Sequence, residues 1–140
     1  MKTKSAHEIT LSSYALKILK EQHMFKIIDS PFVFPALNAN GHLHRDTISK
    51  AIRNLGGRNR YSGIATSHGF RATFRTICSK NKAELLKLGI TDEVIESVLA
   101  HKESNKVKYA YEREKATIEQ KAILMQWYGD YLDRLESLFD

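Results

Sequence analysis

The sequence predicts a mainly α-helical protein with a minor β element. Apolar residues recur at intervals of three and four along most of the chain, which is the spacing of one helix face. Residues that begin or end helices flank most of these stretches. The 140 residues are 42% hydrophobic, enough for one core, so we expect a single domain over residues 1–140.

The first predicted elements are a short strand and a helix. The β-branched residues Ile9 and Thr10 favour a strand over residues 5–10. A helix is then predicted from Ser12 to about His23, with one stripe of residues facing the core. The stripe consists of Leu11, Tyr14, Ala15, Ile18 and Leu19.

The second predicted helix is amphipathic, with a basic outer side. It begins at Asp46, a suitable N-cap, and stops at Gly56-Gly57. Its apolar side is formed by Ile48, Ala51, Ile52 and Leu55. Because Lys50 and Arg53 fall on the opposite side, we expect both to point outward.

Helix signals continue to the end of the chain. After a loop over residues 56–67, a third helix is predicted from about Gly69 to Ser79, and a short one from Ala83 to Leu88 ends at Gly89. Thr91 or Asp92 caps a helix that reaches about Ala100. The last helix runs from about Lys115 to Ser137, and its predicted stripe is Ile118, Ala122, Met125, Leu132, Leu135 and Leu138. We expect its aromatic residues to pack in a core or an interface; they are Trp127, Tyr128 and Tyr131.

The positive charge is concentrated in one part of the chain. The net charge is +6, yet residues 41–80 alone hold eight Lys or Arg against Asp46, a local net charge of +7. This concentration indicates either a polyanion partner, because phosphate neutralisation releases counterions, or a solvated basic face. Charge alone does not decide between the two.

The sequence also favours the cytoplasm. Cys78 is the single cysteine, so the chain cannot form an internal disulfide. No apolar run approaches the roughly 20 residues of a membrane helix. The first residues lack the apolar stretch of a signal peptide.

Two groups of residues point to chemistry on a phosphate. His68 and Arg71 lie three apart at the start of a predicted helix, so both can face one small anion, which the helix N-terminus also favours. A second pattern, Leu99-Ala100-His101, is followed ten residues later by Tyr111. Each piece has an ordinary structural explanation, and the combination in this order is what carries information.

That order resembles the C-terminal signature of the tyrosine recombinases. The amino-acid sequence is similar to that of prophage integrases of the satellite-phage type in four segments. These are His68-Gly-Phe-Arg-Ala-Thr, Ala100-His101-Lys-Glu-Ser-Asn-Lys-Val, Ala110-Tyr111 and Gln126-Trp127-Tyr128. The resemblance implies the mainly helical catalytic-domain fold of DNA breaking-rejoining enzymes. It implies double-stranded DNA attachment sites as substrates, a homotetramer on DNA in the full-length protein, and no cofactor.

The resemblance also implies roles for individual residues. Arg71 and His68 would hold the scissile phosphate, His101 would be the next active-site residue, and Tyr111 the nucleophile that forms a 3′-phosphotyrosine. The family usually has Gly before that His, so Ala100 is a departure. Tyr109 is a rival nucleophile, although Ala110-Tyr111-Glu112-Arg113 matches the family's Ala-Tyr-x-Arg. Expected contacts with the DNA are Lys50, Arg53, Arg58, Arg60 and Arg75.

The start of the chain resembles the end of the family's β-hairpin. Lys2 is the best match to the hairpin lysine that serves as general acid, and Lys4 is the second choice. The family's first active-site arginine has no counterpart. We therefore expect an N-terminally truncated catalytic domain that binds DNA weakly and cannot recombine alone.

Three other functions stay open on the residues alone. His42 and His44, which we expect to be exposed, could chelate a metal, but no Asp, Glu or Cys stands at a recurrent ligand spacing, so we expect no metal site. A non-catalytic basic DNA-binding module would explain the charge of residues 41–80 but not the pattern from His101 to Tyr111. A purely structural helical oligomer would have no salt-sensitive DNA affinity.

Overall fold

The computed structural model describes residues 7–26, 29–100 and 116–138, and helices dominate this part of the chain. Its six helices are α1 (Ser13–Met24), α2 (Thr47–Asn54), α3 (Gly69–Lys80), α4 (Lys82–Lys87), α5 (Asp92–Leu99) and α6 (Ile118–Glu136). The mainly α prediction is confirmed, and the predicted helix bounds agree with the observed ones to within about three residues. Within the same ranges no helix has the length and apolarity needed to cross a membrane.

Within the described part of the segment the predicted strand is wrong, because residues 7–10 form no strand. Hydrogen bonds to two distant helices hold this segment instead of a second strand. His7 Nε2 lies 3.1 Å from the carbonyl oxygen of Val98, and Lys121 Nζ donates to the carbonyl of Glu8 at 3.2 Å. Among the described residues, β pairing is limited to an isolated antiparallel bridge between Pro35 and His42.

The chain divides into two compact units, which we describe separately. Unit 1 contains the described residues within Met1–Leu16 and Cys78–Asp140, and unit 2 is Lys17–Ile77 without residues 27 and 28. The single domain over residues 1–140 stays a prediction. Unit 1 brings together segments that lie at opposite ends of the sequence.

Unit 1 has a conventional apolar core in which α5 packs against α6. Its fully buried side chains come from four different segments: Cys78, Leu85, Ile90 and Leu124. Trp127, which is 7% exposed, joins the core and donates a hydrogen bond from Nε1 to Glu84 Oε1 at 2.8 Å. The Trp127 and Tyr131 rings lie 5.6 Å apart, and Tyr128 is half-buried, so the predicted packing of these aromatic residues is confirmed.

Gln120 fixes the start of α6 in two directions. Its side-chain Oε1 accepts from the backbone N–H of Thr117. Its backbone N–H donates to Thr117 Oγ1, which completes a capping box. Its Nε2 also donates to the carbonyl of Gly89 at 3.1 Å. The cap therefore joins the start of α6 to the turn that precedes α5.

The middle of α6 lies unusually close to the start of α1. A Cβ atom built on Gly129 would be 2.8 Å from Ser12 Cβ and 2.9 Å from Ser12 Oγ, so only glycine fits there. Beside this contact the Gln126 carboxamide accepts from Ser13 N at 2.9 Å and donates to Ser13 Oγ at 3.0 Å. These contacts hold together segments 113 residues apart.

The predicted apolar faces are wrong in several places. In α6 the buried side is formed by Leu124, Trp127 and Gly129, whereas most of the predicted stripe is exposed and Met125 is half-buried. The exposed members are Ile118, Ala122, Leu132, Leu135 and Leu138. In α1 only Ala15 and Leu19 of the predicted stripe are half-buried. Helical spacing shows that a face is apolar but not which neighbour covers it.

Unit 2 has little core of its own. Among its described residues only Phe74 is buried, and the apolar side of α2 is largely open, with Ile48 56% and Leu55 59% exposed. A pocket of about 410 Å³ opens beside α2, lined by Phe32, Val33, Phe34, His42, Leu43, His44, Arg45 and Ile48. Unit 2 is therefore held largely by hydrogen bonds of its turns and loops rather than by a core.

We predict that Gly129→Ala lowers the free energy of unfolding by about 1–3 kcal/mol, the usual cost of overpacking. The added methyl group meets Ser12 Cβ, which cannot rotate away. Urea denaturation of the 140-residue chain measures this change.

The control places Gly129→Ala in a Ser12→Gly background, which removes both clashing atoms. There alanine should be neutral or stabilising by up to about 1 kcal/mol, because it is the better helix former. Equal destabilisation in both backgrounds would show that the close approach is not the cause.

Candidate active site

The predicted phosphate-binding pair lies at the start of α3. His68 directly precedes the helix and Arg71 is its third residue, and both are exposed. The backbone N–H of Arg71 donates to the carbonyl of His68 at 3.1 Å, so the two residues share one helical turn. That both side chains address one anion stays a prediction.

The turn before α3 is fixed by hydroxyl groups. Thr66 Oγ1 accepts from Gly69 N at 3.0 Å, which satisfies one of the free N–H groups at the helix start. Ser67 Oγ lies 2.7 Å from Ser49 Oγ, a residue of α2. Sequence reasoning missed both contacts, although a threonine close before a helix start is a recognisable cap signal.

The basic groups of α2 are exposed as predicted. Lys50 and Arg53 both face solvent, and the Ser49–Ser67 hydrogen bond connects their helix to the residue before His68. Arg75 lies on α3 one turn after Arg71 and is also exposed. Unit 2 thus carries basic side chains on α2 and α3, and a hydrogen bond joins α2 to the turn that precedes α3.

The loop after α2 is ordered by its own polar contacts. Asn54 Oδ1 accepts from Asn59 N at 3.0 Å, and Tyr61 N donates to the carbonyl of Arg53 at 3.0 Å. Asn59 adopts a left-handed backbone with φ of +56°. The Arg60 guanidinium lies 5.9 Å from the centroid of the Tyr61 ring. Arg58 and Arg60 are therefore exposed on a folded loop.

The remaining predicted catalytic residues belong to other parts of the chain. His101, Tyr111 and Lys2 lie outside the described residues, as do the alternatives Tyr109 and Lys4. Their roles stay predictions. What the structure does describe is the helix end that leads to His101.

That helix end is unusual at Ala100. The C-cap of α5 is Ala100 in the left-handed conformation, with φ of +51° and ψ of +33°. Its N–H donates to the carbonyls of Glu96 and Ser97, which closes the helix. Glycine is the residue that most readily adopts this conformation. This agrees with the Gly that the family resembled by the sequence usually has at the position of Ala100.

Two other tyrosines in unit 1, Tyr14 and Tyr128, have raised pKa values. A hydrogen bond to the Asp133 carboxylate is the main factor that raises the pKa of Tyr14, and burial is the main factor that raises the pKa of Tyr128. A raised pKa keeps the phenol protonated at neutral pH.

Within residues 7–26, 29–100 and 116–138, no three potential metal ligands cluster. His42 is half-buried rather than exposed; its ring packs edge-on against Phe32 at 4.8 Å. Its Nδ1 lies 2.8 Å from the carbonyl of Leu43 and must donate, because a carbonyl only accepts. His44 is exposed, and its Nδ1 lies 3.4 Å from Asp46 Oδ2.

Comparison with known proteins agrees with the resemblance. The sequence model of the phage integrase family matches residues 1–117. Prophage integrase IntA of Escherichia coli (strain K12) is 31% identical over 98% of this chain and 30% of its own length. The integrase of Enterobacteria phage P4 is 29% identical over 95% of this chain and 28% of its own length.

A third relative, prophage integrase IntZ of Escherichia coli (strain K12), is 30% identical over 96% of this chain and 30% of its own length. The chain therefore spans less than a third of the length of each of these relatives. No solved structure matches the chain significantly.

We predict that Ala100→Gly raises the free energy of unfolding by about 0.5–1 kcal/mol, because glycine relieves the left-handed backbone at the end of α5. Chemical denaturation measures the change. Ala122→Gly is the matched control, since Ala122 is an exposed residue inside α6. The same substitution there should cost about 1 kcal/mol. The same sign at both sites would contradict the explanation.

Proposed function

The chain belongs to the phage integrase family, and we propose that it is the C-terminal portion of the catalytic domain of a tyrosine recombinase. The full-length protein would perform site-specific recombination between double-stranded DNA attachment sites. The observation that carries this proposal is the placement of His68 and Arg71 in one exposed turn at the start of α3.

In the proposed reaction, Arg71 and His68 bind the non-bridging oxygens of the scissile phosphate. The Arg guanidinium suits two oxygens at once, and the N-terminus of α3 adds partial positive charge. Positive groups stabilise the charge that develops on the phosphorus centre as a fifth oxygen approaches. His101 would add a further contact to the same phosphate.

The covalent step exchanges one phosphodiester for another. The Tyr111 oxygen releases its proton to solvent water and attacks phosphorus, the bond from phosphorus to the 5′-oxygen breaks, and a 3′-phosphotyrosine forms. Lys2 donates a proton to the leaving 5′-oxygen, which becomes a hydroxyl. Attack by a 5′-hydroxyl of the partner strand reverses these steps and rejoins the DNA. An ordinary tyrosine pKa near 10 is why the nucleophile needs a positive site.

The basic surface of unit 2 would hold the duplex. Lys50 and Arg53 on α2 and Arg58 and Arg60 on the following loop are exposed and suited to backbone phosphates. The hydroxyl contact between Ser49 and Ser67 would keep this surface in register with His68.

We further propose a homotetramer on DNA in the full-length protein and a location in the cytoplasm. The exposed apolar side of α6, with Leu132 and Leu135, supports a partner surface on that helix. We also propose that the 140-residue chain cannot recombine alone. Robust strand exchange by this chain would refute that proposal.

Trapping tests the nucleophile. The full-length protein that contains this chain is incubated with a nicked duplex carrying its attachment site, and the covalent protein–DNA adduct is quantified. Tyr111→Phe should abolish the adduct because it removes the attacking oxygen, whereas the matched variant Tyr109→Phe should retain it. An adduct that survives Tyr111→Phe would eliminate Tyr111. If the wild-type protein binds DNA but forms no adduct, a non-catalytic basic DNA-binding module is the better function.

Salt dependence tests the DNA surface. In the 140-residue chain, Lys50→Ala with Arg53→Ala should weaken binding to a duplex and reduce the slope of log K against log salt by about 0.9 for each lost phosphate contact. Fluorescence anisotropy at several salt concentrations measures this slope.

The matched control removes the same charge from α1, by Lys17→Ala with Lys20→Ala, both exposed. The slope should not change in that variant. An equal decrease of the salt slope in the two double variants would indicate a general charge effect rather than a DNA-binding surface on α2.

A further inference from the structure

We infer that His7 is a positioning residue for the reaction proposed above, on which this inference rests. His7 Nε2 lies 3.1 Å from the carbonyl oxygen of Val98, a residue 91 positions later in the chain. A carbonyl oxygen can only accept, so Nε2 carries the hydrogen and donates. No sequence motif singles out His7.

The acceptor is one of the carbonyls that a helix end leaves without an intrahelical partner. At the end of α5 the N–H of Ala100 is bonded to the carbonyls of Glu96 and Ser97. The next carbonyl, that of Val98, accepts the hydrogen bond from His7 Nε2. The imidazole therefore continues the cap of α5 beyond the bonds that the backbone makes.

The capped turn leads directly to a predicted catalytic residue. Val98 and Leu99 are buried, and Ala100 turns the backbone through the left-handed conformation. His101 is the next residue in sequence. The His7 hydrogen bond, three residues before His101, thus restrains the direction in which the chain leaves α5.

The segment that contains His7 is itself anchored on its other side. Lys121 Nζ of α6 donates to the carbonyl of Glu8 at 3.2 Å. His7 lies five residues after Lys2, the predicted general acid. One side chain therefore connects the segment that follows Lys2 to the helix end that precedes His101.

This connection would matter for catalysis more than for DNA binding. Two predicted catalytic residues from distant parts of the sequence must meet one phosphate in a fixed geometry, and small misplacements of such groups cost up to about 100-fold in rate. The basic surface of unit 2 does not include His7. Loss of the bond should therefore slow cleavage while leaving DNA affinity intact.

The test compares four variants of the full-length protein on the nicked duplex, with cleavage rate at saturating DNA and Kd measured separately. His7→Phe keeps a ring but cannot donate, and His7→Asn keeps a donor that is too short. Both should lower the cleavage rate by about 10-fold or more, with Kd within about twofold of wild type. His7→Gln, whose Nε2 reaches nearly as far as that of histidine, should recover most of the rate.

His23→Phe is the control for replacing a histidine by an apolar ring, because His23 lies in the last turn of α1. It should leave both measurements unchanged. If His7→Phe and His7→Asn cleave at the wild-type rate, this inference is overturned and the proposed function stays intact. A cleavage rate that His7→Gln does not restore would also overturn it. So would a decrease in cleavage rate that is matched by an equal decrease in DNA affinity. Absence of any adduct with the wild-type protein would instead refute the proposed function.

Discussion

The close approach of α6 to the start of α1 is the constraint on which unit 1 depends. A helix can lie against a backbone this tightly only where it presents glycine, and Gly129 faces Ser12 at that point. The Gln126 carboxamide then bonds both the N–H and the hydroxyl of Ser13. With α6 fixed in this position, Leu124 and Trp127 are directed into the core. The Lys121 bond to the carbonyl of Glu8 then adds a second tie between α6 and the N-terminal segment.

Unit 2 is held differently, and the difference suits a surface that binds a polyanion. Phe74 is its one buried residue among those described, so short polar contacts do much of the ordering. Thr66 caps α3, and Asn54 holds the loop after α2. Such contacts fix the backbone while they leave basic side chains in solvent, where phosphates can reach them.

The sequence predicted the helices well because helix ends are local. Gly56-Gly57 and Gly89 stop helices through their own backbone freedom, and each such glycine has a positive φ in the structure. The placement of His68 and Arg71 in one turn was predictable for the same reason. The covered faces of α1 and α6 were not, because periodicity identifies an apolar side without identifying its neighbour. The contact of His7 with Val98 was also beyond prediction, since it joins residues 91 apart with no motif in either.

Ala100 shows how a departure from a family pattern can be read physically. A left-handed alanine costs roughly 1–2 kcal/mol relative to its preferred backbone, so its surroundings must hold it there. They do so from two sides: its N–H bonds back into α5, and buried Val98 and Leu99 anchor the preceding turn. Glycine would relieve the strain but would also admit many more backbone directions at this point. Alanine is therefore less stable than glycine at this position, but it restricts the backbone at the end of α5 more than glycine would.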